Sequence, residues 1–387
     1  MDFVTEELFQ YAIAVYRTLH RHPEVGFDLP NTVAFVSGEL DKMGIEHTNH
    51  YGTCSVVGFI GSDPAKPTLG IRADMDALPV QEKTDLPYSS EIDGKMHACG
   101  HDAHTACLLA TAQILKSHES MLSCNVRLIF QPSEEGEISG AKMMVDNGVM
   151  EGVDAIIAQH NENTLDIDTI AVHGGDCMAA CIPANLRFFG KTAHATMAET
   201  GIDTIAMGIE SYDRLKAMVS EEAEGRRYVW SVGTFHAGTV HNVIADLSEQ
   251  KISFRYFDQD FANRVMLRAE GICADIATTF GGRSELDWHV SARAVINDDK
   301  LADFVRSVVS ETTSVQLGVV SMASEDFSWY LSKAPGVFYR FGTKNEALHP
   351  VTRPHNNDYV IDPEGMRAGI RGLTAIALRF GKENMLS

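Results

Sequence analysis

Residues 96–104 read Met-His-Ala-Cys-Gly-His-Asp-Ala-His, placing three histidines, one cysteine and one aspartate in nine positions. Imidazole and thiolate are ligands for zinc and its neighbours, and each binds in its deprotonated form. Cys99 and His101 stand two apart, so an extended backbone would direct both side chains to one face. The apolar-rich run that follows (Ala106, Leu108, Leu109, Ala112, Ile114, Leu115) predicts a helix. Cys99 would then lie near a helix N-terminus, where the dipole favours thiolate. A reduced cysteine beside surface histidines would read the same way, so this stretch needs partners elsewhere.

Three partners suggest themselves. Gln131-Pro-Ser-Glu134-Glu135-Gly136 follows directly on the apolar run Val126–Phe130. Ligands in open α/β sheets bind beyond the carboxyl ends of strands. Two adjacent carboxylates there repel each other unless a cation sits between them. His160 follows the run Asp154–Ala158, which predicts a second strand end. His355 lies in the polar loop Arg353-Pro-His-Asn-Asn-Asp-Tyr359, and composition alone makes it the weakest of the set. Cys99, His101, Glu135, His160 and His355 are more ligands than one tetrahedral zinc requires. They suit two metals about 3.5–4 Å apart sharing a water. Glu134 is then a carboxylate outside the ligand set, able to take a proton from that water and pass it to a leaving amine.

The elements that must position these residues alternate. Residues 5–20 and 31–43 read as helices, 55–60 and 68–71 as strands, and 126–130 and 154–158 as strands around a helix near 139–147. This is an α/β pattern. The pattern changes near residue 178. Strands at 182–190, 228–235, 247–256 and 284–290 alternate with helices at 201–220 and 259–280, the order of a ferredoxin-like unit. The expected organisation is a discontinuous catalytic α/β domain, 1–177 and 293–387, interrupted by an inserted α+β domain, 178–292.

With 387 residues, 44% of them hydrophobic and 22% charged, the chain is long enough for two globular cores. A net charge of −21 argues against nucleic acid and anionic membranes as partners. No run of about 18 apolar residues predicts a membrane span. The acidic N-terminal segment lacks the form of a signal peptide. Seven scattered cysteines make no disulfide framework, and Cys177 and Cys181 read as core thiols. The expected location is the cytoplasm.

The chain resembles the metal-dependent aminoacylase/carboxypeptidase family, in the branch of hippurate hydrolase, N-acyl-amino-acid amidohydrolases and indole-acetyl-amino-acid hydrolases. The motifs are His22-Pro-Glu-Val-Gly-Phe27, Arg72-Ala-Asp-Met-Asp-Ala-Leu-Pro79, Met96–His104, Gln131–Gly136 and Glu151-Gly-Val-Asp154 up to His160. They continue with Gly190-Lys-Thr-Ala-His194, Asn242-Val-Ile, Met322-Ala-Ser-Glu-Asp-Phe327 and His355-Asn356. The resemblance implies a zinc-peptidase-like catalytic domain with an inserted lid that dimerises. It implies Cys99, His101, Glu135, His160 and His355 as metal ligands and Glu134 as general base. It also implies that His194, with Asn242 as its partner, reaches across a homodimer to stabilise the oxyanion. In the wider family a ligating histidine stands at the position of Arg72, which cannot ligate; Cys99 and His101 substitute for it.

Three segments depart from the family pattern: Asn161-Glu-Asn-Thr after His160, Ala195-Thr-Met-Ala-Glu199 after His194, and Asn357 after His355. They border the expected pocket, where Glu162 and Glu199 disfavour acidic substrates. His97 and His104 read as supports for the ligands, as do Glu325 and Asp326. Asp74 and Asp76 orient ligands or form a structural turn. Arg255 binds a substrate carboxylate or forms a surface ion pair.

The expected activity is hydrolysis of the amide of an N-acyl amino acid with two divalent ions per subunit, Zn or Mn, with Co or Ni as alternatives. The competing enzyme reading is dipeptidase or aminopeptidase action on short peptides. A metal-binding protein without chemistry would not need Glu134, and a thiol-redox role lacks a Cys-x-x-Cys.

Overall fold

The computed structural model describes residues 2–345 and 351–382, which form two compact units. The first runs up to Cys177 and continues through Val295–Val320 and from Asp326 onward. Its sheet has eight strands in the spatial order Glu46–Thr48, Val56–Ile60, Asn125–Gln131, Thr68–Asp74, Ala155–Asp166, Gly336–Lys344, Thr169–Ala171, Ser314–Gln316. The central neighbours are parallel: Thr68–Asp74 with Asn125–Gln131 and with Ala155–Asp166, and Ala155–Asp166 with Gly336–Lys344. Parallel strands covered on both faces are continuous apolar runs, as in Thr68–Asp74, whose last six residues are all buried.

Helix Glu6–Arg21 packs on helix His101–Ser117, which packs together with Met366–Arg379 against this sheet. Thr5 caps the first by accepting from the Leu8 amide at 3.2 Å, and Glu6, Glu7, His20 and Arg21 complement its dipole. The second begins at His101, immediately after Gly100, whose φ of 92° requires glycine. That turn replaces the extended Cys99–Gly100–His101 geometry with a left-handed corner, from which the donor atoms of Cys99 and His101 still come within 4.8 Å of each other. The strand holding His160 also differs from expectation. It extends to Asp166, because Gly336–Lys344 supplies ladder partners to its polar half. His160 therefore lies within a strand and not after one.

The second unit comprises Met178–Ala294 and the short segment Ser321–Glu325, which receives the Ala179 amide at the Ser321 and Ala323 carbonyls. Its antiparallel sheet has the spatial order Arg283–Trp288, Ala180–Phe189, Leu247–Tyr256, Val229–Ala237. In chain order that is fourth, first, third, second, the ferredoxin-like arrangement. Leu247–Tyr256 alternates, turning Ser248, Gln250, Ile252, Phe254 and Tyr256 inward. Helices Thr204–Ala223 and Gln259–Phe280 pack together and contact the sheet. Asp203 and Asp258 cap them, each accepting two backbone amides. The large mixed sheet and the separate antiparallel sheet match the expected fold class. Among the described residues no helix is long and apolar enough to cross a membrane.

Candidate metal centre

Four segments of the first unit converge. Gly100 aims His101 from the start of its helix, and Cys99 is buried just before it. Strand Asn125–Gln131 leads into the loop bearing Glu134 and Glu135. Strand Ala155–Asp166 carries His160. The loop with His355 docks through a hydrogen bond from the His355 amide to the Ala98 carbonyl at 2.8 Å.

The imidazoles are oriented from behind. His101 Nδ1 donates to the Asp76 carbonyl at 2.8 Å, and its buried Nε2 has no hydrogen-bond partner among the described residues. His160 Nδ1 donates to the Asn161 carbonyl at 2.6 Å, so its Nε2 carries no proton and accepts from the Cys99 thiol at 3.4 Å. Donating one ring nitrogen to a carbonyl while presenting the other is how metal-ligating histidines are held. His355 Nε2 lies 3.0 Å from Glu135 Oε1. His101 Nε2 lies 3.9 Å from Glu135 Oε1 and 4.0 Å from Glu134 Oε2. Two sets of donor atoms share Cys99, one with His101 and His160, the other with Glu135 and His355; within each set the atoms lie within 4.8 Å of one another.

Burial, with the Glu135 carboxylate beside it, pushes the Cys99 thiol up, so a thiolate here requires a cation. This differs from the thiolate that a helix N-terminus alone predicts, because burial outweighs the dipole. Burial and neighbouring His104 hold His160 well below the usual imidazole range, in the neutral ligating form. Hydrogen bonds to Cys99 and Glu135 raise His355 to about 10. An unpartnered buried His101 nitrogen, a proton-free His160 nitrogen, a thiol and two carboxylates at these spacings fit divalent metal of the zinc type.

The surrounding residues are committed elsewhere. His104 donates from Nδ1 to Asp74 Oδ1 at 2.6 Å and accepts the Asn161 amide at Nε2, 2.9 Å. Both nitrogens are used, which leaves none for a metal. Arg72 is buried and bridges Gln131 at 2.8 Å, Asp74 at 2.7 Å and Asp326 at 3.0 Å, tying three segments behind the site. His97 is buried with neither ring nitrogen hydrogen-bonded among the described residues, and burial lowers it to about 4. Glu162 lies 3.5 Å from Arg340, which offsets its charge. His20 and Glu82 have no functional signal in the sequence. They come to the site's periphery through contacts such as His20–Asp102, separated by 82 positions.

His194 and Asn242 belong to the second unit, where the Ala195 amide donates to the Asn242 carbonyl at 3.0 Å. Both are exposed, and His194 Nδ1 lies 2.8 Å from Thr196 Oγ1. Arg255 donates to the Met322 carbonyl at 3.1 Å and to Ser324 Oγ at 3.4 Å, both within the same unit.

Comparison with known proteins bears on this site. Residues 70–379 match the model of peptidase family M20/M25/M40. An N-acetyl-L-cysteine deacetylase of Bacillus subtilis is 34% identical over 86% of this chain and 80% of its own. The IAA-amino acid hydrolase ILR1-like 5 of Arabidopsis thaliana is 32% identical over 97% and 88%. The crystal structure of the Bacillus subtilis YXEP protein, described as a dinuclear metal-binding M20 peptidase, superposes with a TM-score of 0.86 at 30% identity, covering 98% and 99% of the two chains. The chain therefore belongs to peptidase family M20, and within it is a hydrolase of the amidohydrolase branch.

Proposed function

We propose that this protein is a metal-dependent amidohydrolase that cleaves N-acyl amino acids, such as acetyl or benzoyl derivatives, to a carboxylate and a free amino acid. The carrying observation is the convergence of the unpartnered His101 Nε2, the His160 Nε2 that meets the buried Cys99 thiol, and the Glu134–Glu135 pair at one end of the sheet. The deacetylase and the IAA-amino acid hydrolase support the substrate class. Cys99, His101, Glu135, His160 and His355 are the residues that would hold two divalent ions, zinc or manganese, with cobalt or nickel as alternatives. Such ions supply Lewis acidity, polarising the amide carbonyl and lowering the pKa of water.

Glu134 is the general base. Its carboxylate accepts the proton of the attacking water and hands it to the amine nitrogen, so the amine leaves neutral and the carboxylate is regenerated. His194 and Asn242 hydrogen-bond the carbonyl oxygen as charge develops on it. They do so from the second unit of a partner subunit in a homodimer. An apolar stripe supports that pairing: Ile205, Ile209 and Tyr212 on helix Thr204–Ala223 are 40%, 54% and 40% exposed. Phe235, 39% exposed, lies beside it on the edge strand Val229–Ala237, whose unpaired backbone can receive another strand.

The test is a panel of acetyl-, benzoyl- and aminoacyl-capped amino acids on enzyme stripped by chelator and reloaded with zinc or manganese. Turnover of the acyl derivatives only after reloading is expected. Full activity without metal overturns the reading, and a preference for the aminoacyl compounds replaces it with a peptidase.

A further inference from the structure

Asp76 is buried, 1% exposed, and its side chain faces the loop that carries Glu134 and Glu135. Its Oδ1 accepts the Glu134 amide at 2.9 Å and its Oδ2 accepts the Glu135 amide at 3.1 Å. The backbone carbonyl of the same residue accepts His101 Nδ1 at 2.8 Å. One residue thus touches the helix that bears one donor and the loop that bears two others.

That loop needs an external hold. Ser133, just before Glu134, has a φ of 52°, which an L residue rarely adopts. The loop folds tightly on itself, with Ser133 Oγ donating to the Ile138 carbonyl at 2.8 Å and the Gly140 amide to the Ser133 carbonyl at 2.9 Å. A Cβ on Gly140 would stand 1.7 Å from the Pro132 carbonyl oxygen. Two consecutive, partly buried amides call for two acceptors, and a carboxylate is the side-chain group of this size with one acceptor oxygen for each. Left unmet, each amide would bear the desolvation penalty of an orphaned donor.

We propose that Asp76 is a positioning residue: its carboxylate clamps the successive amides of Glu134 and Glu135, setting base and ligand relative to His101. This rests on the hydrolase reading above. Asparagine at position 76 keeps the volume but offers one oxygen, and its amide group meets a backbone N–H donor to donor. The loop then loses one anchor, and both glutamate side chains lose their register with His101.

The test compares wild type with Asp76→Asn in four measurements: zinc affinity by chelator competition, kcat and KM at saturating zinc, amide hydrogen exchange, and the urea midpoint of the metal-free protein. The clamp predicts zinc binding about 10- to 100-fold weaker. It predicts kcat down by about 100-fold with KM nearly unchanged, the effect of an ångström-scale displacement of a reacting group. It also predicts faster exchange at the Glu134 and Glu135 amides. A purely structural role predicts a lower urea midpoint with wild-type zinc affinity and kcat, and that result overturns the clamp. If Asp76→Asn does not fold, Asp76→Ser, smaller and with a single hydroxyl acceptor, is read by the same measurements. A wild-type protein that takes up no zinc and hydrolyses no N-acyl amino acid overturns the hydrolase reading itself. A wild type that does both, beside an unaltered Asp76→Asn, overturns only the clamp.

Discussion

Gly100 and Asn161 compete for one small volume: a Cβ on Gly100 would stand 2.2 Å from Asn161 Oδ1. Asn161 is held in place by its amide, bonded to His104, and by its side-chain contact with the Tyr359 hydroxyl. The corner that launches His101 into its helix is therefore closed to any side chain, for both φ and space.

Gly100→Ala combines the strain of a left-handed alanine, about 1–2 kcal/mol, with overpacking, about 1–3 kcal/mol. A loss of about 2–5 kcal/mol is expected, together with weaker zinc binding as Cys99 and His101 shift. Urea unfolding of the metal-free protein and a chelator competition check the two parts. Wild-type values in both would show that the corner tolerates a methyl group.

Glu134→Gln should retain metal while kcat falls by about 100- to 10,000-fold, the range for a lost general base. Metal content by elemental analysis beside steady-state kinetics decides it. Loss of metal in step with activity would make Glu134 a ligand and not the base.

The buried His20 gives a pH-dependent stability. Burial opposes its charge, but hydrogen bonds with Asp102 and Glu82 outweigh this and raise it to about 9 from 6.5. Below pH 6.5 the histidine is protonated in folded and unfolded chains alike, and its stabilisation is fully present. Between 6.5 and 9 the folded chain binds more protons, so stability falls as pH rises. Glu82 is opposed by burial but lowered to about 2 from 4.5 by His20, Thr84 and the Ser90 amide. Its contribution is complete above pH 4.5 and lost as pH falls through 2. Urea midpoints of the metal-free protein should therefore be flat between pH 4.5 and 6.5 in this contribution and decline toward 9. His20→Gln should remove the alkaline decline; an unchanged slope would assign it to another group.

Ile209→Lys places a charge in the middle of the apolar stripe on helix Thr204–Ala223. Light scattering should report a dimer for wild type and a monomer for the variant, with activity falling as His194 and Asn242 lose their target. A fully active monomer would remove the requirement for a partner subunit.

Much of this architecture is legible in the chain. Helix Gln259–Phe280 and strand Leu247–Tyr256 carry their periodicity on the surface of the sequence, and Asp258 marks where one stops and the other begins. His160 shows where such reading runs out. The apolar signal ends at Ala158, yet the strand continues to Asp166, because its polar half is paired by Gly336–Lys344 from a distant part of the chain. Cys99 shows the same limit in its chemistry: nearness to a helix start suggests a thiolate, and burial reverses the direction.

The sequence by itself determined the stock of donors, the alternation of strands and helices, and the carboxylate pair that a cation would reconcile. Those follow from residue type and local spacing. Only the tertiary structure decided which ring nitrogens are bare, why His104 is committed to Asp74 and Asn161, and that Asp76 meets two amides 58 and 59 positions away. Such contacts depend on strand register and helix placement, where a shift of one residue turns every side chain to the opposite face.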